Sequence, residues 1–95
     1  MRSTELIDCK RLEPGSLVDV ETKSRHYHIE CLGGSTIRIS GHPQFCPSPV
    51  VAELEGSVNS GGILENGIIE SGMRLVFKVE QIPVTTSEVV HVHLN

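Results

Sequence analysis

Five histidines and three cysteines give this 95-residue chain its widest choice of chemistry. Four of the histidines form two His-x-His pairs, His26/His28 and His91/His93. On a β-strand, residues i and i+2 point to one side, about 6.5–7 Å apart along the chain. Two such strands side by side would offer four imidazole nitrogens to zinc, which takes four nitrogen or sulfur ligands in a tetrahedron. The competing reading is a set of solvated surface histidines, because both pairs alternate with apolar residues that must face inward.

A second constellation is Cys31, His42 and Cys46, with Cys9 as a fourth member. Its residue types suit zinc, but the Cys-x-x-Cys knuckle of a structural site is absent. Cys31 also alternates with Ile29, which makes it a small inward-facing hydrophobe. His42 and Cys46 are the sequence-local pair from which a cysteine nucleophile and its base could be built. No oxyanion-stabilising motif accompanies them, so no catalytic residues are assigned.

The remaining polar groups point less sharply. Asp19/Glu21 and Glu53/Glu55 place carboxylates at i, i+2, where they solvate an outer strand face unless a cleft perturbs them. Thr85, Thr86 and Ser87 precede the final alternating run and are expected to fix its start through side-chain to backbone bonds. The glycine-rich run 56–62 reads as a mobile turn, with an anion-binding nest of backbone N–H groups as the alternative. It lacks the lysine and following helix of a phosphate-binding loop.

The elements that must carry these residues repeat with period two. Tyr27, Ile29 and Cys31 share one face, against His26, His28 and Glu30. Gly33-Gly34 marks a hairpin, and Ile37 and Ile39 continue the inner face beyond it. The same alternation selects Val18, Val20, Val50, Ala52, Leu54, Leu75, Phe77, Val79, Val90, Val92 and Leu94 as inner residues. Further strands are expected at 17–22, 50–55 and around 63–70. The run 4–12 is expected to form a short helix capped by Ser3 or Thr4, ahead of the Pro14-Gly15 turn. Three prolines in 41–49 predict a stiff, extended loop rather than a plain hairpin. The fold expected is one all-β domain over residues 1–95, an antiparallel barrel of six to eight strands.

Composition narrows the function classes. Twelve acidic against eight basic residues give a net charge of -4, which argues against a nucleic-acid partner. Trp is absent and Phe45, Phe77 and Tyr27 are the aromatics, too few for a base-stacking platform. Apolar runs do not exceed three residues, so no membrane span is expected. The opening residues lack the apolar run of a signal peptide, and the cysteine number is odd. Reduced thiols in a bacterial-type cytoplasm are therefore expected.

Several phrases, taken in order, resemble a family of small, poorly characterised bacterial all-β proteins. They are Val20-Glu21-Thr22-Lys23-Ser24-Arg25-His26-Tyr27-His28-Ile29-Glu30, Gly56-Ser57 with Gly61-Gly62, Ile69-Glu70-Ser71-Gly72-Met73-Arg74-Leu75-Val76-Phe77, and Val84-Thr85-Thr86-Ser87-Glu88-Val89. The resemblance implies the fold and no activity. A likeness of two of these phrases to the barrels of translation factors is an analogy of fold alone. The reading that needs no catalytic set is an interaction module that binds a protein partner or itself, with a homodimer as its simplest form. Val51, Val58, Val76 and Val89 are the valines expected on its outer surface. The alternatives are a zinc-binding protein, through His26, His28, His91 and His93 or through Cys31, His42 and Cys46, and a barrel that carries a small ligand.

Overall fold

In β2 (Leu17–Thr22) Val18 and Val20 are fully buried while Leu17, Asp19 and Glu21 face outward, as period-two patterning requires. The same parity builds β3 (His26–Gly33), β4 (Thr36–Ser40), β5 (Val50–Val58), β8 (Arg74–Val79) and β9 (Ile82–Leu94). These strands come from a computed structural model that describes residues 6–95. All pairings are antiparallel, in the order β4-β3-β2-β9-β8-β5, and β5 pairs with β4 to complete a closed ring. The antiparallel all-β architecture predicted from the alternation is therefore present, with the sheet closed on itself. A short strand β6 (Leu64–Asn66) extends β5 on its other side. Closure gives the ring strands partners on both sides, which removes most exposed edges.

The interior is filled by Val18, Val20, Tyr27, Ile29, Ile37, Ile39, Leu54, Leu75 and Phe77, none more than 2 % exposed. Cys31 and Ala52 join them as inner residues, as the alternation predicts. A ring of this strand number leaves room for side chains and little else. Val50 and Val79, expected inside, are half-buried and pack against the core from strand ends.

The long strand β9 departs from simple alternation twice. Glu21 pairs with His91 but Thr22 pairs with Val89, so Val90 is an extra residue in the ladder. This bulge turns Val89 inward and leaves Val90 half-buried. Val89, expected on the surface, is in fact fully buried. Leu94, expected inside, is 47 % exposed at the end of the strand. A second irregularity lies opposite Leu75, between the pairs Arg74/Glu88 and Val76/Thr85.

Thr85, Thr86 and Ser87 are part of β9 rather than a lead-in to it. Thr86 Oγ1 accepts from the Leu75 N–H at 3.0 Å and donates to the Ser87 carbonyl at 2.7 Å. The hydroxyl thereby replaces the ladder bonds lost at the second irregularity. Thr86→Val keeps the shape and removes both bonds, leaving a buried N–H unpaired. A loss of about 2 kcal/mol in unfolding free energy is expected by urea titration; an unchanged midpoint would show that the bridge contributes nothing.

The expected N-terminal helix is replaced by β1 (Leu6–Asp8) and a single 3-10 turn over Cys9–Arg11. The described part of this run extends because a partner is available: Ile7 lies opposite Ile69 of β7 (Ile68–Glu70), and both are buried. Asp8, not Ser3 or Thr4, caps the turn by accepting from the Lys10 N–H; the last two lie outside the described residues. The β1–β7 ribbon packs on β5 and β9, and Ser57 Oγ donates to the Ile68 carbonyl at 2.7 Å. The strand expected around 63–70 is thus two short strands, broken at Gly67 with φ of 76°.

Both loops differ from expectation. Residues 42–46 fold back in a closed turn with a bridge between His42 and Cys46, so only the Pro47–Pro49 part lacks regular pairing. In the glycine-rich run, residues 56–58 belong to β5. Beyond them Asn59 Oδ1 accepts from the Gly61 and Ile63 N–H groups, at 2.9 and 3.1 Å, and the Gly62 N–H bonds the Asn59 carbonyl. Those donors serve the turn itself, not an anion nest.

Candidate functional site

The strand order places β2 between the two histidine strands. Asp19 lies opposite His28 on β3 and His93 on β9, and Glu21 lies opposite His26 and His91. Because Val18 and Val20 point inward, this whole array faces out. Two rows result, each with a carboxylate between two imidazoles. A third row follows, where Glu30 lies opposite Leu17 and Arg38.

Each His-x-His pair does share a face, and all four histidines are exposed. The pairs are not on adjacent strands. With β2 between them they are separated by two inter-strand spacings, roughly 9–10 Å. Among the described residues no three or more His, Cys, Asp or Glu side chains are grouped to hold a metal ion.

Within the array Asp19 is bonded to both His28 and Asn95. His28 Nδ1 lies 2.7 Å from Asp19 Oδ1. Asn95 Nδ2 donates to Asp19 Oδ2 at 3.1 Å. The Asn95 bond first, and then the His28 bond, hold the Asp19 carboxyl below its ordinary range, against the burial that raises it. A carboxylate on Nδ1 fixes the tautomer of His28 and turns its Nε2 lone pair outward. The rings of His26 and His28 are stacked, 5.5 Å between centroids and 14° between planes.

Beside this pair runs a shallow groove of about 350 Å³, lined by Leu17, Asp19, His28, Glu30, Arg38 and Pro49. Arg38 and Glu30 meet across it at 2.8 Å. Leu17 is 50 % exposed on this face, whereas Leu94, opposite inward-facing Val18, lies on the inner parity at the end of β9. Val51, opposite Arg38 on β5, is 58 % exposed. Val58 and Val76, the other valines expected outside, are half-buried.

The cysteines do not form a common centre. Cys9 and Cys31 are both buried, with their thiols in hydrogen-bond contact; burial first, and that contact second, push the Cys9 thiol up. Cys46 is buried separately, and its thiol is raised by burial despite a bond from the His42 backbone. His42 Nδ1 is occupied, accepting from the Gln44 and Phe45 N–H groups at 3.1 and 3.3 Å. A raised thiol beside an imidazole engaged in its own turn is the reverse of an activated nucleophile. His42 is thus engaged in the turn that it helps to close.

The sequence shows both His-x-His pairs and the Asp19/Glu21 pair, but not that one lies between the others. Strand order supplies that, and parity alone does not carry it. Asn95 and Arg38 gave no separate signal. The chain matches no family model, no curated protein and no solved structure.

Proposed function

We propose that this protein is a non-catalytic interaction module of a bacterial-type cytoplasm, and that it self-associates through the outer face of β9, β2, β3 and β4. The observation that carries the reading is the face itself. It combines exposed Leu17 with a groove, the Arg38 cation and the carboxylates of Asp19, Glu21 and Glu30. A two-fold interface must be complementary to itself, and a face with Arg38 on one strand and Asp19 and Glu21 on another meets that demand. The filled interior supports this reading over a barrel that carries a small ligand. The odd number of cysteines, with Cys46 buried apart from Cys9 and Cys31, supports a reducing compartment. The resemblance to small bacterial proteins without assigned activity agrees with the reading and adds no site to it.

Sedimentation velocity in the presence of EDTA, from micromolar to millimolar protein, tests it. A concentration-dependent dimer is expected. Leu17→Glu places a charge in the apolar part of the contact and should weaken the dimer at least about tenfold, or 1.4 kcal/mol. Ile82→Glu, at an equally exposed leucine-sized position where β9 begins, at the far end of that strand from Leu17, should leave it unchanged. A strict monomer at millimolar concentration would remove metal-free self-association.

A further inference from the structure

We infer that His26 and His28 form half of a transition-metal site, and that a second copy of this chain completes it by presenting the same two imidazoles across a two-fold axis. The inference rests on the proposed self-association face and names the ligand that holds it.

Four observations lead there. First, the two rings are already parallel and neighbouring, 5.5 Å apart on exposed side chains. Tetrahedral zinc with bonds of about 2.0–2.1 Å needs its nitrogens roughly 3.3 Å apart. Tilting two exposed rings about their side-chain torsions closes that gap without moving the backbone. Second, His28 is prepared for ligation. Asp19 holds its Nδ1 at 2.7 Å and is itself held by Asn95, the carboxylate–histidine arrangement that orients metal ligands.

Third, the ligand count is incomplete within one chain. Zinc takes four ligands in a closed site, while among the described residues no third His, Cys, Asp or Glu joins the pair in a metal-binding group. A two-fold axis doubles two nitrogens to four. Fourth, the charge fits. Each copy brings Asp19 and Glu21 into the strand beside the pair. A divalent ion on the axis meets carboxylates from both copies, an attraction that adds to the complementarity of the face.

The test uses untagged protein, treated with EDTA and then titrated with Zn2+ at neutral pH. Calorimetry gives the stoichiometry and sedimentation gives the mass. The expected result is half a zinc per chain, bound together with dimer formation. Zinc at a hundred times its dissociation constant should tighten the dimer about 100-fold. His26→Ala/His28→Ala should abolish both the binding and the tightening; in His91→Ala/His93→Ala, which alters the association face outside the metal pair, half a zinc per chain should still bind. Both variants change exposed side chains, and an unaltered thermal midpoint checks that they fold.

Asp19→Asn tests the positioning residue. It should weaken zinc binding about 10–100-fold. The nitrogen shifts of His28 should also show its proton moving off Nδ1. One zinc per chain on a monomer overturns the inference, as does no saturable binding, or binding that follows His91 and His93 instead. A dimer in EDTA that ignores zinc overturns the inference and leaves the self-association reading standing. A monomer in EDTA that dimerises with zinc overturns metal-free association and supports the bridge.

Discussion

Phe77→Ala is expected to lower the unfolding free energy by about 4 kcal/mol and the thermal midpoint by roughly 20 °C. Phe77 is fully buried on β8, and its ring meets Tyr27 edge to face, 6.0 Å between centroids and 72° between planes. Tyr27 sits on β3, which is three places from β8 around the ring in either direction. The two aromatics therefore touch across the interior, and removing one leaves a cavity that no neighbouring strand can fill. Collapse is restricted because every wall of the ring is hydrogen-bonded on both sides. Phe77→Leu keeps most of the volume and should cost about 1.5 kcal/mol or less. Urea titration of both variants, with an unchanged slope, is the measurement. A loss under about 1 kcal/mol for the alanine variant would mean that the aromatic pair does not hold the two walls apart.

Gly56→Ala is the second large effect, and it acts through the backbone. Gly56 has φ of 139°, at the register shift within the β5–β8 ladder, where β5 also takes up β6 on its other edge. A methyl group there would run into the Glu65 carbonyl and lie 2.8 Å from the Gly67 nitrogen. Both obstacles are backbone, so neither can swing aside. The strained dihedral costs about 1–3 kcal/mol and the overpacking about as much again, for an expected total near 4 kcal/mol. Gly62→Ala separates the two causes. Its φ of 83° is also positive, but a methyl there meets nothing within 4 Å. It should cost only the dihedral part. Equal losses at the two positions would sink the collision argument.

These two positions also show what is legible in the chain and what is not. The inward place of Phe77 follows from the parity of Leu75, Phe77 and Val79, and the structure keeps Leu75 and Phe77 fully buried. Parity works because a strand with one face in the core has no freedom to slip by one residue. It fails wherever a residue is inserted into a ladder. Val90 is such an insertion, and it exchanges the expected places of Val89 and Val90. The bulge has no signature in a run as uniformly β-forming as Glu88-Val89-Val90-His91. The N-terminal run fails for a different reason. Ile7 extends because Ile69 waits for it more than sixty residues later, and local propensity carries no word of that partner. The candidate site lies between these cases. Its residue types and their shared face are readable, since i, i+2 spacing on a strand settles both. The alternation of imidazole and carboxylate across three strands depends on β9 docking beside β2, a long-range choice. Only the strand order reveals it.

The position of β9 in the ring has a consequence in time. It is the last of the described strands to be made, yet it lies between β2 and β8 and pairs with both. Until it emerges, the growing chain can assemble at most an open sheet, with the free edges of β2 and β8 facing solvent. The histidine face then has only two of its three strands, and Asp19 lacks both His93 beside it and the Asn95 amide that holds it. Closure of the ring and completion of the histidine face are therefore one event. A nascent chain cannot complete this surface before its own architecture is shut.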